Sequence, residues 1–162
     1  MVKICVDTSF LISFADPTRL NHPTALDYFR HSVSHGHLLC LSTLVVSEFE
    51  VGQPISDLPL QHFHIIPFNF THAVRSAVYH NAIKGLPAPD DAARQVVRND
   101  LKILAQADIE ECSVILTEDQ NTLTKWVTTL GKIGLCDVSP LLLKDGFRPD
   151  ELIDPNQQTF GM

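Results

Sequence analysis

Hydrophobic positions along this chain recur with two different periods, and each change of period predicts a change of element. Val2 to Val6 is apolar apart from Lys3 and reads as a strand ending at Asp7-Thr8-Ser9, followed by a short helix through Phe10, Leu11 and Phe14. A second helix is expected from about Asn21, with Pro23 in its first turn, Leu26, Phe29 and Val33 turned inward, and a stop near Gly36. The next strand, Leu38 to Leu41, runs into Ser42, a good helix cap. The helix that follows carries Leu44, Val45, Glu48, Phe49 and Val51 before Gly52 and Pro54 end it.

The second half continues the alternation. His62 to Phe68 is strand-like and Thr71 to Lys84 helical, while Leu86-Pro87-Ala88-Pro89-Asp90 reads as a rigid loop because its prolines exclude a continuous helix. A longer helix from about Asp91 to Ala107 leads to a buried-type strand, Cys112 to Leu116. That strand runs into Thr117-Glu118-Asp119 and then a helix carrying Leu123, Trp126 and Leu130. Gly131 precedes a last strand, expected at Ile133 to Val138, and beyond Asp145 the composition turns polar, with Pro149 and Pro155. Strands alternating with helices at these lengths imply right-handed crossovers and an α/β fold: three layers, α/β/α, around a mostly parallel central sheet. Residues 1–145 are expected to form this single domain and residues 146–162 a polar, extended tail.

Composition narrows the setting. A length of 162 residues suits one domain with a sizeable core. The longest apolar runs fall well short of the roughly 20 residues that span a membrane, and the amino terminus meets Asp7 before any export signal could form. Cys5, Cys40, Cys112 and Cys136 are widely spaced without a Cys-x-x-Cys pair, which reads as buried thiols in a reducing cytoplasm. A net charge of −7 repels polyanions at long range and excludes a general nucleic-acid coat protein, so any RNA contact is local.

Acids at particular positions change the picture further. At about 100° per residue, Val96, Val97, Ile103, Leu104 and Ala107 share one helical arc and Asp100 projects into the middle of it, while Arg94, Arg98 and Lys102 keep to another side. The same projection sets Glu48 between Leu44 and Val51 on one flank and Val45 and Phe49 on the other, with Glu50 nearly opposite. An ionised group buried without a partner costs several kcal/mol, so each of these acids requires a cation, a hydrogen-bond network or a raised pKa. Asp7 and Asp119 both follow strands, at the sheet edge where open parallel sheets bind ligands. Singly, Asp7 and Asp119 would be helix caps, and Glu48 and Asp100 would pair with buried cations. Jointly, Asp7, Glu48, Asp100 and Asp119 point to a cluster suited to a hard divalent cation such as Mg²⁺ or Mn²⁺.

In this order the motifs Val6-Asp7-Thr8-Ser9, Ser47-Glu48, Asp100-Leu101-Lys102-Ile103-Leu104-Ala105 and Val114-Ile115-Leu116-Thr117-Glu118-Asp119 resemble those of the PIN-domain family, particularly the VapC-type toxins of toxin–antitoxin pairs. The resemblance spans most of the chain. It implies a PIN-like fold and a metal-dependent ribonuclease in which Asp7, Glu48, Asp100 and Asp119 are catalytic and metal-binding. Asp7 and Asp100 would be direct ligands, Glu48 and Asp119 would serve a second metal position or orient the others, and Thr8, Ser9 and Thr117 would position water or carboxylates. It also implies an RNA substrate, an antitoxin protein partner and a homodimer. The chain departs from the compact toxins in its greater length and in a tail without matching motifs.

Other features carry less. His35-Gly36-His37 and His62-Phe63-His64 have ligand-like spacing but read as partly exposed residues at a helix end and on a strand. Arg19, Lys84 and Lys125 are the cations expected to rim the site, and Trp126 is expected in the core. A haloacid-dehalogenase-like phosphatase requires a second Asp two residues after the first, where this chain has Ser9. A non-catalytic PIN-fold binding module is the alternative from a different class, and acids retained at all four positions argue against it.

Overall fold

The structure is a computed structural model describing residues 1–86 and 91–154, with side chains described from Val96 onward in the second stretch. The loop expected at 87–90, the Arg94 side chain and the tail beyond Asp154 lie outside the described residues. In chain order the elements are β1 (Lys3–Val6), α1 (Thr8–Ala15), α2 (His22–Ser34), β2 (Leu38–Ser42), α3 (Thr43–Gly52), β3 (Phe63–Ile66), α4 (Phe70–Ile83), α5 (Asp91–Ile109), β4 (Val114–Thr117), α6 (Leu123–Lys132) and β5 (Ser139–Leu142). Short 3₁₀ turns at Ile55–Asp57, Leu60–His62, Leu143–Asp145 and Pro149–Leu152 join or end them.

The strands form one sheet in the order β3-β2-β1-β4-β5, and every pairing is parallel. Helices cover both faces, giving the expected three layers. Central strands buried on both sides must be apolar throughout, and Ile4, Cys5 and Val6 of β1 and Val114, Ile115 and Leu116 of β4 are all buried. Among the described residues, no helix is long and apolar enough to cross a membrane.

The last strand lies further along than its apolar pattern suggests, at Ser139–Leu142 instead of Ile133 to Val138. Gly134 has a φ of 74°, the Gly134 N–H donates to the Gly131 carbonyl and the Leu135 N–H to the Leu130 carbonyl. That is a Schellman ending, which carries α6 past Gly131 and spends the following apolar residues on closing the helix. Pro140 sits inside β5, where a central strand would reject it and an edge strand does not.

Other departures are local. On α3, Val51 is 90 % exposed, because the helix ends there in open solvent. Val33, expected inward on α2, is also exposed. On α5, Val96 is 47 % exposed while Leu101 is 1 % exposed, so the buried arc is rotated toward Leu101, and Asp100 borders it. The segment after Asp145 is not simply extended: Phe147 packs edge-on against Tyr28 with ring centroids 5.0 Å apart, and Leu152 is buried. All four cysteines are buried and free.

His72 is fully buried and ties three elements together. Its Nδ1 accepts from the Asn69 N–H, closing a capping box on α4, so its Nε2 carries the proton and donates to Glu110 at 2.8 Å. Lys3 of β1 reaches the Glu110 carbonyl at 2.9 Å. The rotated arc of α5 makes a pair of measurements decisive. Leu101→Ala is expected to cost about 2–5 kcal/mol of unfolding free energy, and Val96→Ala to stay within about 0.5 kcal/mol, both read by urea denaturation.

Candidate active site

The strand order reverses beside β1, because β2 and β3 lie on one side of it and β4 and β5 on the other. At such a switch point the crevice opens beyond the carboxyl ends of the two strands. The β1–β4 register pairs Val6 with Leu116, and the Asp7 N–H continues the ladder to the Leu116 carbonyl at 3.3 Å. Asp7 and Thr117 therefore leave adjacent strands at the same level.

Asp7 caps α1: one carboxylate oxygen accepts from the Phe10 N–H at 2.9 Å and from the Ser9 hydroxyl at 2.7 Å, and the other accepts from the Thr117 hydroxyl. Burial pushes its carboxyl up from the ordinary 3.8 to about 6, against the pull of the Thr117, Phe10 and Ser9 hydrogen bonds and with the Asp119 charge adding to the rise. Ser9 also accepts from the Glu118 N–H at 2.8 Å, which stitches the start of α1 to the end of β4. Glu48, inward on α3, accepts from the Thr8 hydroxyl and from the Asn99 side-chain amide at 3.2 Å. A cleft of about 260 Å³ opens beside it, bordered by Ile12, Asp16, Phe49 and Gln53.

Asp119 is held differently. Its carboxylate accepts the N–H groups of Asn121, Thr122 and Leu123 at 3.0, 2.9 and 3.3 Å and the hydroxyl of Thr122. Burial raises its pKa, but the Thr122 hydroxyl and these N–H groups outweigh it, and the net shift is downward. Asp119 is thus a fixed anion at the start of the turn into α6. Asp100 is the opposite case. Burial lifts its carboxyl to about 7, the Thr122 hydroxyl opposes this, and the charges of Asp119, Asp7 and Glu48 each lift it further. Asp100 feels all three other acids, so residues from α5, β1, α3 and β4 share one electrostatic site.

No cation among the described residues is paired with it. Among the described residues the ion pairs lie elsewhere: Arg19 with Asp16, Arg75 with Asp108, Arg148 with Glu151, and the amino terminus with Asp154. Arg98 and Lys102 line a separate cleft of about 290 Å³ with Ser76 and His80 of α4, on a side of α5 about 200° around from Asp100. One buried oxygen of Asp100, Oδ2, has no hydrogen-bond partner among the described residues. Buried carboxylate oxygens without partners are costly, and a hard divalent cation supplies what this one lacks. Among the described residues, no three His, Cys, Asp or Glu side chains stand as a finished metal cage. The donor set fits an ion that keeps several waters and takes one or two carboxylates directly, which is the habit of Mg²⁺.

The Thr8 hydroxyl bonds to Glu48, and those of Ser9 and Thr117 bond to Asp7. Sequence reasoning missed Asn99 and Thr122. Asn99 precedes Asp100 on a helix directed at Glu48, and Thr122 follows Asp119 by the three-residue step at which an Asp closes a turn, a signal that was present. Of the expected rim cations, Arg19 pairs with Asp16 at the Glu48 cleft. Lys84 is exposed at the end of α4, and Lys125 lies 4.8 Å over the ring of Trp126, which is buried as expected.

By sequence, the chain matches no family profile and no curated protein. By structure, it is similar to a chain of the Rickettsia felis VapBC2 complex bound to a promoter DNA fragment, with a TM-score of 0.58, 14% identity, and coverage of 86% of this chain and 98% of that one. A chain of the DNA-bound Salmonella typhimurium VapBC complex gives 0.58, 15% identity, and 86% and 98% coverage. Mycobacterium tuberculosis VapC20, described as a sarcin-ricin loop cleaving toxin, gives 0.52, 15% identity, and 85% and 99% coverage. With an all-parallel five-stranded sheet and this likeness over nearly the whole length of each neighbour, the chain has the PIN-domain fold of the VapC-type toxins.

Proposed function

We propose that this protein is a metal-dependent ribonuclease, the toxin of a toxin–antitoxin pair, acting in the cytoplasm. The observation that carries the reading is Asp100: a half-buried carboxyl raised to about 7 by burial and by three neighbouring acids, with a buried oxygen that lacks a hydrogen-bond partner and with no ion pair among the described residues. A fold needs no such arrangement for stability, whereas divalent-metal hydrolysis of a phosphodiester does.

Asp7 and Asp100 are the direct ligands in this reading, and Glu48 and Asp119 serve a second position or hold the surroundings. Bound Mg²⁺ or Mn²⁺ would supply an activated water and offset charge on the phosphate and the leaving oxygen. Thr117 and Ser9 fix the Asp7 carboxylate, Thr8 and Asn99 fix Glu48, and Thr122 bridges Asp119 and Asp100. Carboxylates held in this way lose little freedom on binding an ion. Arg19, paired with Asp16 on the border of the Glu48 cleft, is a candidate for a phosphate contact. An antitoxin partner and homodimerisation extend the same reading, and the matched neighbours are themselves VapBC complexes or a VapC toxin.

Purified protein is expected to cleave single-stranded RNA only with Mg²⁺ or Mn²⁺, and Asp7→Asn or Asp100→Asn to abolish cleavage with the circular dichroism spectrum unchanged. Equal cleavage by the wild type and both variants would remove the mechanism. Thr122→Val is expected to lower kcat by about tenfold to a hundredfold through its hold on the two acids, measured on a short RNA at saturating metal. Stability of the metal-free protein should follow the raised pKa values of Asp7 and Asp100. The native state holds their protons more tightly than the unfolded chain, so stability is greatest below the ordinary value of 3.8 and falls as pH rises through about 6 and about 7. Thermal melts across that range in EDTA should show the decline for these groups, and excess Mg²⁺ should reverse it at the upper end. A flat profile with no Mg²⁺ effect would contradict a shared acidic site.

A further inference from the structure

The last turn of α2 carries a second constellation, far from the acids. Gly36, with φ at 66°, closes the helix in a Schellman ending: the Gly36 N–H donates to the Val33 carbonyl and the His37 N–H to the Ser32 carbonyl. That ending folds the residue after the glycine back over the last turn, where an apolar contact is usual. Here histidines fill it. The rings of His31 and His35 stack with centroids 3.9 Å apart, and the His37 ring lies 5.6 Å from the first and 6.0 Å from the second.

Spacing and tautomer both favour coordination at two of these rings. His31 and His35 stand at i and i+4, the helical spacing at which two imidazoles chelate one ion. His35 Nδ1 lies 2.9 Å from the His31 carbonyl, which can only accept, so Nδ1 carries the proton and Nε2 keeps its lone pair. A ligating histidine is ordinarily held by such a bond from its other nitrogen to a backbone carbonyl. Neither ring nitrogen of His31 has a protein partner among the described residues, so either can turn a lone pair outward. His37 differs: its Nδ1 accepts from the Val2 N–H at 3.4 Å, so its proton sits on Nε2 and it walls the site without ligating. No ready-made group of three ligands exists among the described residues, and a two-ring chelate completed by water does not need one.

We propose that His31 and His35 form a chelating site for a borderline divalent transition ion, of the Zn²⁺, Ni²⁺ or Cu²⁺ class that imidazole prefers. The site is separate from the acids. It lies where α2 hands the chain to the amino end of β2, whereas the carboxylates gather beyond the carboxyl ends of β1 and β4. The inference is therefore independent of the proposed nuclease activity.

Titration calorimetry of Ni²⁺ into the full-length protein, with excess Mg²⁺ to occupy carboxylates, tests it. One equivalent is expected to bind, with affinity lowered by about tenfold or more in H31Q and in H35Q, and kept in H37Q and in the strand control H64Q. Thermal melts of each variant in EDTA verify that the fold is retained. No uptake of Ni²⁺, unchanged affinity in H31Q and H35Q, or an equal loss in H37Q would overturn the two-ring site and leave the stack as the packing of a helix end.

Discussion

Desolvation of carboxylates governs this end of the molecule. Asp7 is buried to 6 % exposure and Asp100 keeps one oxygen bare, so neither can rely on water to hold its charge. The protein answers the two cases differently. It surrounds Asp7 with a backbone N–H and two hydroxyls, and it leaves Asp100 with a raised pKa beside three other acids. A structure optimised for stability alone would replace such a group with an apolar one.

Topology brings that charge together. The chain builds β1, β2 and β3 outward in one direction, then returns to add β4 on the far side of β1. The two central strands end at one level, and their next residues, Asp7 and Thr117, bond directly. Acids from α3 and α5 need only lean over that edge. Residues more than a hundred positions apart thus act at one place because parallel strands share an orientation, and their carboxyl ends collect whatever follows them.

Much of this was legible before any coordinates. Strand-end acids and acids intruding on apolar helical arcs are visible in the sequence, since a charge among core positions violates the pattern around it. Detail was lost where a local signal had two readings. The wheel for α5 admitted Val96 and passed over Leu101, because a helix packed on two neighbours buries a broader, shifted arc than a single stripe suggests. The last strand was misplaced because Gly131 looked like a helix stop while the helix closes at Gly134, which uses up the apolar residues that follow. Asn99 and Thr122 went unnoticed since polar neighbours of a functional acid look like any solvated residue until their partners are known.

Pro140 has a further effect. The Ser139 N–H points inward to the carbonyl of Ser113, the residue that leads into β4, so by the two-residue alternation of a strand the nitrogen of residue 140 faces outward. Being proline, it offers no hydrogen there, and the outer rim of β5 is missing a donor in the middle of its short length. An extended segment from another molecule cannot lay a continuous ladder along that margin. Growth of the sheet is thereby blocked on the β5 side, so a strand recruited from elsewhere would find a regular backbone only along β3.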